Sequence, residues 1–413
     1  MNPSPRVHIP SLLQFALSGL ALMATLSAAL GALALALVSV LSEQDMQSNR
    51  VVLLSTAWIG MFISLLLVPG AALAALRLFG APRPALLRTN PLRAATIALL
   101  LWVPVLAAGW LSSTRDVLTW LVLPPLQVLA VAIPLWWFVE VGRSRLPQGS
   151  AQRGWGVFTL GMVMGPTLAI IAEIVLIVAL IIVFAIWVST QPALVSELMQ
   201  LAEGLRGLDP QSPRVMEMLT PYLERPGVVA ALAAVTAGLV PLLEELVKPL
   251  PVLALALWRK IPPVEGFAAG LVSGAAFGLI ESLGMAVNLQ GSDWAPVLAT
   301  RVGTGLLHIV TTGLVGWGIA SALRERRWLR LLLTFAAAVI LHGLWNLMAV
   351  LVGVSTLGAS VGVPRLALAA AMGLGLLAMV LYAILVRMNR RLRLRASDAP
   401  TQTQPEPIET RGQ

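Results

Sequence analysis

Along this chain apolar positions do not alternate with polar ones; they come in long unbroken runs. Ten runs occur, over about 11–41, 51–78, 94–112, 117–141, 155–188, 228–257, 265–288, 298–323, 331–352 and 363–386. An apolar run of about 18 residues or more, rising about 1.5 Å per residue, is long enough to cross a hydrocarbon core of about 30 Å as an α-helix. Short polar segments separate the runs. The pattern predicts an all-α fold, a polytopic membrane helix bundle of about ten transmembrane helices.

Composition agrees. Of 413 residues, 58% are hydrophobic and only 11% charged, too apolar a balance for a soluble chain of this length. The net charge of +9 points to a membrane and not to nucleic acid, because the basic residues are sorted by loop. With the N-terminus placed in the cytoplasm, twenty of the 28 Lys and Arg fall in cytoplasmic segments and seven outside, with Lys248 left inside a run. That bias follows the positive-inside rule and predicts both termini in the cytoplasm. The first run is longer than the apolar region of a secretory signal and reads as a retained span. There is no cysteine, which excludes disulfides, thiol nucleophiles, iron–sulfur clusters and thiolate zinc sites.

Polar content divides the chain. Residues 1–153 hold four runs with little polar character at mid-depth and read as a membrane scaffold. Residues 154–227 add the fifth run and an extracytoplasmic loop, in which PALVSELMQLAEGLRGL has the spacing of an amphipathic helix. Residues 228–352 carry nearly all the chemistry. Residues 353–395 hold the last span and a basic stop, RMNRRLRLR, and 396–413 read as a disordered cytoplasmic tail.

Within 228–352, the sixth run carries Glu244, Glu245 and Lys248 in LVPLLEELVKP. The seventh carries Phe277 and Glu281 in FGLIE, the eighth His308 and Thr312 in HIVTT, and the ninth His342 and Asn346 in HGLWN. In each run a pair stands four residues apart, on one helical face. Counted from the nearest cytoplasmic-side charge, Glu245, Glu281, His308 and His342 all lie roughly 18–24 Å into the bilayer. A charge at bilayer centre costs about 2.5–3.5 kcal/mol on insertion scales, so such residues face a bundle interior or a wet cavity. Lys248 can reach back one turn to neutralise Glu244, which leaves Glu245 for the cavity. Pro241, Pro249 and Pro251 predict kinks that free backbone carbonyls. Gly266, Gly270, Gly274 and Gly278 form a smooth ridge for close packing against a neighbouring helix.

Taken singly, these residues have plain structural readings: an ion pair, core histidines, a threonine on its own backbone, an asparagine fixing helix packing. Arg301 reads as an interface anchor, and Glu173 stands apart in sequence. Together, three acids and two histidines at one depth suit metal coordination or water activation. A proton-coupled transporter, a haem protein and a substrate-binding scaffold use similar groups. A transporter predicts matching repeats in the two halves, which the first half lacks, and haem leaves the three glutamates unexplained.

EELVK at 244–248, FGLIE at 277–281, His308 and HGLWN at 342–346 resemble, in order, the PrsW family of intramembrane proteases, a branch of the group that includes the type II CAAX prenyl endopeptidases. The resemblance covers about residues 236–350. It implies an intramembrane endopeptidase acting on membrane-protein or membrane-associated peptide substrates in a plasma membrane of bacterial type. It implies that Glu244 and Glu245 supply the general base, Glu245 foremost, and that Asn346 steadies the oxyanion. It implies that His308, His342 and Glu281 hold a zinc ion or polarise the scissile carbonyl. A metal-dependent and a glutamate-type mechanism both fit.

Overall fold

The computed structural model describes residues 8–41, 47–81, 90–114, 116–209, 212–357 and 364–397. These form α1 (Ile9–Leu41), α2 (Gln47–Leu78), α3 (Pro91–Leu100), α4 (Trp102–Ser113), α5 (Asp116–Arg143), α6 (Ala151–Ser189), α7 (Pro192–Leu205), α8 (Pro213–Leu223) and α9 (Pro226–Ala234). A π-helical turn, Val235–Leu239, leads into α10 (Val240–Val247), α11 (Leu250–Arg259), α12 (Pro263–Ala286), α13 (Trp294–Glu325), α14 (Trp328–Leu357) and α15 (Pro364–Ser397). No strand occurs among the described residues. Ten helical stretches are long and apolar enough to cross a membrane, and each coincides with one of the ten apolar runs. The chain is an all-α polytopic membrane helix bundle. The tail from 398 onward lies outside the described residues.

Two helices form the centre. The predicted glycine ridge of α12 lies directly on α13: a Cβ added at Gly266, Gly270 or Gly274 would stand 2.1–2.5 Å from the backbone oxygens of Gly316, Thr312 and His308. Gly316 returns the fit, since its Cβ would meet the Gly266 oxygen at 2.4 Å. Backbones this close bring the face of α12 that carries Glu281 onto the face of α13 that carries His308.

The first four spans do not stand apart from this centre. One continuous apolar core runs from Val51, Leu67 and Leu123 through Leu271 and Leu307 to Leu385. Helix α5 contains Pro124, Pro125 and Pro134. Pro134 has no N–H for the carbonyl of Ala130, and the Trp102 indole donates to it instead at 2.9 Å. The Gln127 amide donates to the carbonyls of Ala286 and Leu289 at the end of α12, at 2.8 and 3.2 Å. At the opposite end, the Asn389 amide donates to Gly142 and Ser144 carbonyls, both at 2.9 Å, and ties α15 to the end of α5. The basic stop region continues α15 as helix to Ser397.

The loop after the fifth span holds two short helices, α7 and α8, with no buried residue in either. Glu197 on α7 pairs with Arg225, the residue that caps the start of α9.

Candidate active site

The span that carries the paired glutamates is interrupted twice, and proline causes both interruptions. Ahead of the pair, Val240 N–H bonds to Val235, five residues back, and Pro241 has no N–H to offer. The Thr236 carbonyl is left over, and the Asn346 amide donates to it at 2.9 Å. Gly343, one residue after His342, lets α14 come close here: a Cβ there would lie 2.3 Å from the Ala237 oxygen. After the pair, the helix breaks at Lys248–Pro249. Val252 N–H turns to the Pro249 carbonyl at 2.9 Å, and Ser273 hydroxyl caps the Lys248 carbonyl at 2.6 Å. The short α10 is therefore clamped by α14 on one side and α12 on the other. π-turns of this kind are frequent at functional sites.

Lys248 lies at the middle of the charged groups. Its Nζ is 2.8 Å from Glu245 Oε1, 3.0 Å from Glu244 Oε2, 2.8 Å from His308 Nδ1 and 3.3 Å from His342 Nδ1. The Phe277 ring covers it, with Nζ 4.9 Å from the centroid. Glu245 is fully buried. Its Oε1 accepts from Lys248, from Thr311 hydroxyl at 3.1 Å and from His342 Nδ1 at 3.0 Å. Glu244 retains 10% side-chain exposure, and its buried Oε2 makes no hydrogen bond, the Lys248 contact being an ion pair by distance alone.

Each histidine is oriented by its own carboxylate. Glu281 Oε2 accepts from His308 Nε2 at 2.6 Å, and Glu245 Oε1 accepts from His342 Nδ1 at 3.0 Å. With His308 Nε2 turned to Glu281, its Nδ1 accepts from the Lys248 ammonium at 2.8 Å, and His342 Nε2 stands 3.8 Å from Glu244 Oε2. The rings meet edge to face at 5.3 Å between centroids. Glu244, His308 and His342 form a buried group whose ligand atoms all lie within 4.8 Å of one another.

The structure thus brings Glu244, Glu245, Glu281, His308 and His342 into one centre, as equal depth predicts. Three placements differ from the sequence reading. Glu281 is not in the metal-capable group; it bonds the far nitrogen of His308, and Glu244 takes its place. Lys248 neutralises both glutamates, and Glu245 is the fully enclosed one while Glu244 keeps 10% side-chain exposure. Asn346 donates to the backbone of the π-turn.

Sequence reasoning missed three residues. Arg301 is no interface anchor: it pairs with Glu281 at 2.9 Å and donates to Ser282 at 3.2 Å. It stands seven residues before His308, on the same face of α13, which was the available signal. Ser273 is one turn before Phe277 on the face that carries Glu281. Thr311, and not Thr312, reaches Glu245; Thr312 Oγ1 is buried without a hydrogen bond. Glu173, distant in sequence, is half-buried on α6 within electrostatic reach of Glu244 and Glu281.

Comparison with known proteins gives one family. The model of the PrsW family intramembrane metalloprotease matches residues 154–386, more than half of the chain. No curated protein and no solved structure matches the chain.

Proposed function

The chain belongs to the PrsW family of intramembrane metalloproteases, and from that membership we propose that it hydrolyses peptide bonds of membrane proteins at the centre formed by Glu244, Glu245, His308 and His342. One observation carries the reading. Two histidines, each bonded to its own carboxylate, stand with Glu244 in one buried group whose ligand atoms lie within 4.8 Å of one another, all on helices long and apolar enough to span a membrane.

The donor set fits a divalent metal. Two imidazoles and a carboxylate, each histidine backed by a carboxylate, are a zinc-type arrangement, and Glu244 Oε2 is buried without a hydrogen-bond partner. Glu244, His308 and His342 would hold the ion, with Lys248 swinging out from among them. Such an ion supplies Lewis acidity and lowers the pKa of bound water.

The side chains divide the remaining work. In the metal-free form Glu244, which keeps 10% side-chain exposure, takes a proton from water, and the hydroxide attacks the scissile carbonyl carbon. The Lys248 ammonium and the second amide hydrogen of Asn346 offset the charge on the oxyanion. Glu244 returns the proton to the leaving amine nitrogen as the C–N bond breaks. Glu245 holds His342 and Lys248 in place, and Glu281, steadied by Arg301, does the same for His308. This gives the base role to Glu244 ahead of Glu245, on grounds of access.

One observation favours a metal-free glutamate mechanism: the Lys248 ammonium already stands among the three candidate ligands. Substrates are membrane-protein segments or membrane-associated peptides, met in a plasma membrane of bacterial type with both termini cytoplasmic. The test uses purified full-length protein in liposomes with a panel of single-span peptides, products read by mass spectrometry, with and without a strong chelator. Cleavage that stops with chelator and returns with zinc supports the metal form. Cleavage indifferent to chelator selects the glutamate form. No cleavage of any peptide, with unchanged membrane-protein fragments in cells lacking the protein, contradicts the proposal.

A further inference from the structure

At the basic end of the bundle, away from the glutamates, α1, α2, α6 and α11 enclose a cavity of about 380 Å³, within the usual size range of ligand sites, about 300–1,000 Å³. Four cationic or titratable side chains reach its rim from four places in the sequence: His8, Arg77, Arg153 and Arg259. Leu17, Leu160, Met164 and Leu255 add an apolar lining. Leu13 and Leu17 on α1 are exposed beside it.

The charges at this rim are not balanced by the protein. Arg153 is paired with Glu265 at 2.8 Å. Arg77 and Arg259 have no carboxylate within ion-pair distance among the described residues. Instead, the Arg259 guanidinium lies 3.3 Å from His8 Nε2. Burial, and then the field of Arg77 and Arg259, push the His8 imidazole below its ordinary pKa. Ordinary positive-inside residues spread around helix ends. These converge on one concavity whose far wall is hydrocarbon.

We propose that this cavity binds an anionic glycerophospholipid of the adjoining leaflet, its phosphate between Arg77 and Arg259 and one acyl chain along Leu17 and Leu160. Guanidinium groups match phosphate oxygens with paired charge-assisted hydrogen bonds. The apolar wall favours a lipid over a free anion. The site is separate from the proposed peptidase centre and does not depend on it.

Native mass spectrometry of the full-length protein in detergent tests this, with phosphatidylglycerol and phosphatidylcholine of identical chains offered at equal concentration. The expected result is retained phosphatidylglycerol. It should fall at least about tenfold in an Arg77→Gln/Arg259→Gln double variant, which loses charged hydrogen bonds. Leu17→Trp, which obstructs the apolar wall and keeps every charge, should also lose it. Arg390→Gln/Arg391→Gln removes the same charge from exposed positions on α15 and should retain it. Equal loss in both arginine pairs would mean diffuse surface attraction and overturn the proposal. So would equal retention of the two lipids, or displacement of the lipid by inorganic phosphate.

Discussion

The candidate site joins two unlike halves of the molecule. In α12 and α13, 83% and 94% of the most apolar window is buried; in the span that leads into Glu244, Glu245 and Lys248 only 6% is, although those three side chains are themselves buried. The central half is a rigid pair of helices sealed by glycine. The peripheral half is a broken helix with exposed apolar side chains, held inward by its own charges and by hydrogen bonds from Asn346 and Ser273. The difference separates two tasks. Glu281 and His308 come from the half that cannot move without repacking the core. The proposed base and the lysine come from the half where a substrate segment can approach and where the helix has already given up backbone bonds.

That contrast can be broken most severely at Glu245. Glu245→Gln leaves Lys248 with one carboxylate fewer in a buried cluster, a loss of about 3–5 kcal/mol by analogy with broken buried pairs. A clear drop in thermal unfolding temperature is expected, together with lost cleavage. An unchanged unfolding temperature would show that the cluster does not hold α10 in place.

Glycine tests the sealed half. Gly274→Ala places a Cβ that, unrelaxed, lies 2.1 Å from the His308 oxygen, and overpacking of this kind costs about 1–3 kcal/mol. Gly284→Ala, on the same helix, meets nothing within 4 Å and should leave unfolding and cleavage unchanged. Equal effects would contradict the account of the ridge.

A smaller loss is expected at Arg301. Arg301→Gln removes the ion pair on Glu281 and loosens the orientation of His308; a fall in cleavage of about tenfold, about 1.4 kcal/mol, with little change in unfolding, is the expected result. Arg301→Lys should recover part of it.

The smallest effect lies outside both halves. The hydrogen bond from Arg225 holds the Glu197 carboxyl below the ordinary carboxylate range, so that tie is complete above the usual carboxylate pKa and fades as pH falls through the lowered one. Both groups are open to solvent, and Glu197→Gln should leave cleavage unchanged between pH 6 and pH 8. A clear loss would give the α7–α8 hairpin a role in handling substrate.

Much of this was legible in the sequence because a membrane makes polar residues conspicuous. Ten apolar runs became ten helical spans, two of them broken into shorter helices, and the glycine period on α12 announced its contact with α13. Equal depth placed Glu244, Glu245, Glu281, His308 and His342 together before any contact was known. Depth says nothing of direction around a helix, however, and there the reading stopped. Whether Glu244 or Glu245 is the fully enclosed one depends on a π-turn, whose origin in Pro241 becomes visible only once the partners of Thr236 are known. Arg301 looked like an anchor because it is near a helix end, yet two turns of α13 aim it at Glu281. Ser273 was hidden among glycines and alanines, and its partner is a carbonyl that only the break at Pro249 exposes.

The central claim is that one centre, with its base on the peripheral half, performs the hydrolysis. The most direct measurement compares Glu244→Gln with Glu245→Gln in liposomes, with single-span peptide cleavage and thermal unfolding recorded on the same preparations. The account predicts that Glu244→Gln lowers cleavage by about 10²–10⁴-fold, the usual contribution of a general base, while unfolding stays close to wild type. Glu245→Gln is expected to lower both. Full cleavage by Glu244→Gln would contradict the account and remove the base from that residue.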